Sequence, residues 1–464
     1  MPIDREPNRR LAAVMDEAGM SNKGLARRIV DMTASWDEPL RADHNDVRKW
    51  LAGMVPKDPK PRVIAEILSA KLHRRVTLDD IGFGYSDASD EDVLVAEGLT
   101  YQGEPAKAVD LLHKLTDADL ADRARVVEAT SGDAASQIIT GYMFAAPVLA
   151  VPEQDGPLRG SAAAERIRKT TAYLMDMDFQ FGGGHTRRLL IEFFRDQVVP
   201  VLRSPHPDPV RRQIFSAAAE VAQLLGWSAY DAGRHGVAMR YFTQGLKLAR
   251  EAQDDLLGAR MLSSLSHQAN YLGRYNDAVN YARAAQSATY GRATKTVSAL
   301  FLAMAARALA SLGDKAGTAT ALHHAEKLFD GRDPSIEPEW ISYFDGFELA
   351  GEAAHCFRDL GDGQQTRLFT AQAIDPVSTP PRTRAFIQMV SAAGSLATGD
   401  VEEAISLATN AVDLADGLQS NRYLRYVTDF YTSLADPRYP RAAISEFSNL
   451  VRSRYPNLAL PATH

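Results

Sequence analysis

Five glycines, Gly233, Gly273, Gly313, Gly361 and Gly399, each close an apolar stretch, at successive spacings of 40, 40, 48 and 38 residues. In the clearest unit Gly273 is followed by Tyr275, Ala278, Tyr281, Ala282 and Ala285. Glycine admits the left-handed backbone that ends one helix and turns the chain into the next, and alanines at helical spacing let the second helix pack closely on the first. The same offsets recur as Gly233/Ala238/Tyr241, Gly313/Ala321/Ala325 and Gly399/Ala404/Ala411, whereas the Gly361 unit puts Thr366 where the small alanine is expected. Period and content predict stacked helical hairpins, each burying its apolar face against its neighbours.

The rest of the chain agrees with an all-α fold. Proline-rich breaks at residues 147–157, 204–209, 331–338 and 375–381 separate stretches rich in Ala, Leu, Arg and Glu. No long alternation of β-branched residues and no Asn-Gly hairpin dipeptide interrupts them. Hydrophobic residues at 45% and charged residues at 24% exclude a disordered or low-complexity chain. Cys356 is the one cysteine, which excludes a disulfide framework and suits a reducing, cytoplasmic setting. The start, MPIDREPNRR, has no apolar core behind it and reads as no signal peptide. The most apolar stretch, residues 138–151, is 14 residues long and broken by Gly141 and Pro147, too short to span a bilayer, so no membrane partner is expected.

From about Arg211 to Ala435 the chain resembles tetratricopeptide repeats, with units longer than that family's consensus. The segment Tyr101-Gln-Gly103-Glu-Pro-Ala-Lys-Ala108 has the same local shape. Three regions are expected: a head at 1–85, a helical linker or middle region at 86–210, and a repeat domain at 211–464 that ends in capping helices.

Charge is divided unevenly. Residues 1–78 carry 15 Lys and Arg against 11 Asp and Glu, a charge of +4, so the remainder of this −7 chain is at −11. A basic head on an acidic body directs any polyanion to the head. There, Leu11, Val14 and Met15 mark a first helix that Gly19 ends. Ser21 caps a second, with Leu25, Ala26, Ile29 and Val30 on one face. A linker with Trp36 leads to a third helix, where Val47, Trp50 and Leu51 face inward and His44, Asn45, Arg48 and Lys49 are left outside. Pro61 starts a fourth, running to Lys71 with Val63, Ile64, Ile67 and Leu68 inward. This order, with Trp50-Leu-Ala-Gly53 and the continuation Arg74-Arg-Val-Thr-Leu-Asp-Asp80-Ile-Gly82, resembles the Cro/lambda-repressor-type (XRE-like) helix-turn-helix over residues 8–83, apart from a long turn of about ten residues between its second and third helices.

Arg48 and Lys49 are guanine-directed side chains and Asn45 is adenine-directed. Lys57, Lys60, Arg62, Arg74 and Arg75 flank them as phosphate-positioning charges would. Head and body together resemble actinobacterial regulators with a Cro-like head and a tetratricopeptide-like body, among them repressors of development and antibiotic production. That resemblance implies sequence-specific binding of double-stranded DNA. A homodimer reading two half-sites follows from the limited contact one head can make. The alternative is a tetratricopeptide scaffold whose basic head docks protein.

Aligned on the turn glycines, the first helix of each unit directs a set of residues at the groove. They are Glu220, Gln223, Trp227, Tyr230 and Asp231; Arg260, Ser263, His267, Asn270 and Tyr271; then Arg307, Glu348, His355 and Arg358; and finally Phe386, Met389 and Leu396. Trp227, His267, Arg307 and His355 repeat at one position. Mixed charge with aromatics suits a peptide, small-molecule or protein effector, although packing between adjacent repeats would use the same residues. The apolar Phe386 end suits a partner subunit. The run Phe181-Gly-Gly-Gly-His185-Thr-Arg187-Arg188 could bind an anion at a helix start but reads better as a structural turn, having no phosphate-loop lysine. His323, His324 and His355 have no ligand spacing, and no nucleophile elbow or dinucleotide fingerprint appears, so no metal, cofactor or catalytic residue is expected.

Overall fold

The computed structural model describes residues 7–34, 39–57, 59–72, 74, 76–78, 80–83, 90–121, 132–145, 161–181, 183–375, 377, 379–434, 439 and 441–460. Every regular element among these is helical. The chain divides into two compact units, Met1–Asp92 and Val93–His464.

The first unit holds α1 (Arg9–Glu17), α2 (Asn22–Met32), α3 (His44–Leu51) and α4 (Lys60–Leu72). Each start has a chemical cause. Asn8 caps α1 through the Leu11 N–H, Ser21 caps α2 through the Gly24 N–H, and Asp43 and Asp46 form a reciprocal capping box at α3. Leu11, Leu25, Ile29, Val47, Trp50, Ile64, Leu68 and Ile81 form the core. The Asn8 side chain also donates to the Ile81 carbonyl at 2.9 Å, and a Cβ on Gly82, at φ +68°, would stand 2.2 Å from Asn8 Oδ1. The Ile81-Gly82 turn thereby locks the end of the unit onto its first helix. Val30, expected inward, is 40% exposed, and Leu51 is half-buried, because Ile29 and Trp50 already fill those positions.

Helix α5 (Asp90–Glu97) carries the boundary between units. The second unit continues with α6 (Pro105–Leu120), α7 (Ala134–Met143), α8 (Ala162–Phe181), and α9 (Gly183–Phe193), which runs through a π-helical turn, Phe194–Val198, into α10 (Val199–Arg203). Five helix pairs follow: α11 (Asp208–Asp231) with α12 (His235–Glu251), α13 (Asp255–Tyr271) with α14 (Tyr275–Ala288), α15 (Lys295–Ser311) with α16 (Lys315–Asp330), α17 (Gly346–Asp359) with α18 (Gly363–Gln372), and α19 (Pro381–Ala397) with α20 (Val401–Leu414). Then come α21 (Asn421–Ser433) and α22 (Arg441–Arg454). Within each pair the helices pack chiefly on one another, and each pair packs on the next.

All five turn glycines adopt the left-handed conformation, with φ from +72° to +86°. In three units the next residue is Asp, and its carboxylate accepts from the third N–H beyond it: Asp314 from Gly317 at 2.8 Å, Asp362 from Gln365 at 3.0 Å, Asp400 from Glu403 at 3.1 Å. Glycine stops one helix and aspartate starts the next. The 48-residue spacing comes from residues 331–345, a crossing that carries two short 3-10 turns, Pro334–Ile336 and Glu339–Ile341. Residues 93–210, within the helical linker or middle region expected at 86–210, belong to the same unit as the repeats: α6 packs on α12, and α8 and α9 pack on α11. No helix among the described residues is long and apolar enough to cross a membrane.

Candidate functional site

In the head, α3 turns Val47 and Trp50 into the core and leaves His44, Asn45, Arg48 and Lys49 exposed. Amphipathic spacing causes this: the buried pair is three residues apart, and the four polar residues occupy the remaining arc. Lys57 is exposed and Lys60 half-buried, its ammonium 5.9 Å from the Trp50 ring. The same helix carries acid. Asp46 lies 3.8 Å from the Lys49 ammonium. The backbone N–H groups of Asp46 and Asn45 hold the Asp43 carboxyl below its ordinary value, so it is ionised. Arg74 is not free for phosphate, since it makes a two-pronged pair with Glu17, Nε to Oε1 at 3.1 Å and Nη2 to Oε2 at 2.5 Å. Arg62 lies on α4 but its side chain is outside the described residues, as are Trp36, Arg75 and Asp79 entirely.

In the body, the residues expected along the groove meet in a dense interior. The Trp227 ring lies 5.2 Å from that of His267, and its Nε1 donates to Ser264 Oγ at 3.1 Å. Tyr230 is wholly buried, its hydroxyl 3.1 Å from His267 Nδ1 and its ring 5.3 Å from that of Tyr271. Arg307 donates to Glu352 at 2.6 Å. Burial opposes its charge, yet Glu352 overrides burial and holds the guanidinium above its ordinary value. Burial, reinforced by Arg307, pushes His267 and His355 well below the usual imidazole range, so both are neutral at pH 7. Asn270 is 9% exposed and its buried Oδ1 has no hydrogen-bond partner.

Sequence reasoning missed the element that closes this interior. Helix α21 sends Arg422 to Asp231 at 3.2 Å, Arg425 to the Tyr271 carbonyl at 2.7 Å, and Tyr426 to His355 Nδ1 at 3.5 Å. The last helices thus return to the first repeat pairs. The available signal was the Ser420 cap followed by three cationic or aromatic residues, Arg422, Arg425 and Tyr426, on one helical face. Phe386, Met389 and Leu396, read as a surface for a partner subunit, instead pack in a core with α20, α21 and α22. The glycine-rich run opens α9 at Gly183. Its Arg187 clasps the buried Asp119 carboxylate, which also accepts from Tyr241 at 3.2 Å, so this cation is spent inside the fold. Gly182 and the side chains of Phe181 and His185 lie outside the described residues.

Among the described residues no group of three or more His, Cys, Asp or Glu side chains converges as a metal site would require. Cys356 is buried, and burial pushes its thiol up, which leaves it unreactive.

Fold and site together define a class: an all-α chain with a small capped-helix head bearing an exposed polar and cationic helix face, joined to a body of stacked helix pairs with a polar, aromatic interior. Comparison with known families adds that residues 11–84 match a model described as the SP15 N-terminal domain. No curated protein matches the chain.

Proposed function

We propose that this protein is a sequence-specific DNA-binding transcription regulator, with the head docking double-stranded DNA through α3 and the body mediating dimerisation and sensing an effector. The observation that carries this is the outward placement of Asn45, Arg48 and Lys49 around a helix anchored by Val47 and Trp50. Anchoring of this kind holds base-directed side chains in a fixed array, and Lys57, exposed, and Lys60, half-buried, would supply phosphate contacts. A homodimer would double the contact and set half-sites one turn, roughly 34 Å, apart. The test is a gel-shift salt series on the full chain: affinity should fall steeply with salt, and Arg48→Ala should weaken it. Affinity that ignores both salt and Arg48→Ala removes the reading.

A second reading, a scaffold whose head docks protein, is favoured by Asp46 in the first turn of α3 and Asp43 at its N-cap, since carboxylates there repel phosphate. A stable protein partner held through residues 1–85, with no enrichment of DNA, would select it.

A further inference from the structure

Arg260, in the middle of α13, is 9% exposed, yet its guanidinium makes no hydrogen bond or ion pair with any described residue, and its Nε is buried without a partner. Two aromatic rings stand against it. The guanidinium carbon is 4.8 Å from the Trp340 ring centre and 5.9 Å from that of Tyr343. Both rings come from the crossing at residues 331–345, which reaches back over α13 and is fastened to the start of α15 by Glu337, through Thr296 Oγ1 at 2.7 Å. Glu220 is the carboxylate nearest in influence. It is already held by Arg168 at 2.9 Å, and burial pushes its own carboxyl up. Burial also pushes the Arg260 guanidinium below its ordinary value, with Tyr343 and Glu220 opposing.

The interior ion pairs elsewhere in the body show what this arginine lacks: Arg307 has Glu352, Arg358 has Asp359, and Arg422 has Asp231. A buried cation without an anion is costly, and contacts with aromatic faces offset only part of that cost. Rings can cover the faces of a guanidinium, but its in-plane N–H edge needs an acceptor, and a planar fork matches a two-oxygen anion.

We propose that Arg260, with Trp340 and Tyr343 beside it, is the anion-recognition residue of a small-molecule site in the body. Its ligand is an oxyanion, a carboxylate or phosphate, borne on a flat apolar group. The flat group stacks on Tyr343, which is 40% exposed and marks the way in, while the oxyanion pairs with the guanidinium edge. Enclosure of Arg260 selects a single headgroup over a peptide backbone. The inference deepens the effector-sensing part of the proposed function and rests on it for its biological meaning, but the site is read without DNA.

The experiment is calorimetric titration of the full chain, free of DNA, with benzoate, phenyl phosphate and, as the neutral control, benzamide. At least one anion should bind tenfold or more tightly than benzamide, and the two anion arms separate carboxylate from phosphate. Arg260→Met should abolish that discrimination while leaving the ligand-free Tm unchanged or higher, since it removes an unpaired buried charge. Arg260→Lys keeps the charge without the fork, and should bind the preferred anion several-fold more weakly than the parent. Equal binding of anions and benzamide by the parent overturns the proposal, as does full anion binding by Arg260→Met or Arg260→Lys. Should the anion bind as expected while gel-shift affinity for DNA is unaffected by it, the site stands and the regulatory reading of the body falls.

Discussion

Asp231, the last residue of α11, accepts from Arg422 Nε at 3.2 Å across 191 residues of chain. Arg382 Nη2 stands 2.9 Å from the same carboxylate oxygen, and Ser420 Oγ donates to it at 2.9 Å. One carboxylate therefore ties α19 and α21 to the first repeat pair, with side-chain exposure of 3% for Asp231, 17% for Arg422 and 10% for Arg382. Removing it leaves two buried guanidiniums facing a neutral group. Asp231→Ala should destabilise the body by about 3–5 kcal/mol. Denaturant unfolding monitored by far-UV circular dichroism checks this, and a loss under about 1 kcal/mol would mean that water or another carboxylate replaces Asp231.

Two turn glycines with nearly the same backbone differ in what surrounds them. Gly233 and Gly313 both have φ +77°. A Cβ at Gly313 meets nothing within 4 Å, while one at Gly233 would be 2.8 Å from Asn421 Nδ2, whose amide donates to the Ala232 carbonyl at 2.8 Å. Gly313→Ala pays only for the left-handed backbone, about 1 kcal/mol. Gly233→Ala must also displace α21, and its Tm should fall further by several degrees. Equal losses in the two variants, measured by scanning calorimetry, would show that α21 does not sit against this turn.

Those turns also mark how far the sequence could be read. The turns at Gly313, Gly361 and Gly399 were legible because a left-handed turn is decided by neighbouring residues, whereas the aspartate caps that follow them were not read. The buried faces of α1 to α4 were legible from spacing for the same reason, apart from Val30 and Leu51, which lay beyond what the core could fully hold. The partners of Asp231 were not, since nothing local links it to Arg382 or Arg422. Nor was the crossing at residues 331–345 more than a proline-rich break, although it sets Trp340 on Arg260. Arg74 looked like a phosphate contact because its partner, Glu17, is distant in sequence.

Glu348 lies in the first turn of α17. Burial, with Glu352 and Asp345 adding repulsion, pushes its carboxyl up to about 8. Above pH 4.5 the unfolded chain has lost this proton and the folded chain keeps it. Glu348 therefore stabilises most at low pH, and its contribution drains away as pH rises toward 8. Asp178, raised to about 6, has already ionised by pH 7, and His267 and His355 are neutral there when folded. Between pH 7 and 8 the parent should lose up to roughly 1.4 kcal/mol relative to Glu348→Gln. Parallel unfolding curves for the two proteins across that window would place the Glu348 carboxyl in water.

Head cations differ in what they already touch, and that difference makes the DNA reading quantitative. Arg48 and Lys57 are exposed and form no pair with any described residue, whereas Arg74 is bound to Glu17. If α3 faces the major groove, Arg48→Ala should cost about 1–3 kcal/mol on the specific operator and narrow its margin over random duplex. Lys57→Ala should weaken specific and random duplex alike and flatten the dependence of log K on log salt by about one unit. Arg74→Ala should leave that slope unchanged and instead lower the Tm of the head, because α1 loses its tie to the end of α4. Operator fragments for these gel shifts come from recovery of crosslinked genomic DNA with the parent and Arg48→Ala proteins. A slope that falls with Arg74→Ala and not with Lys57→Ala would mean that the duplex contacts the Arg74 surface and not the Lys57 side chain.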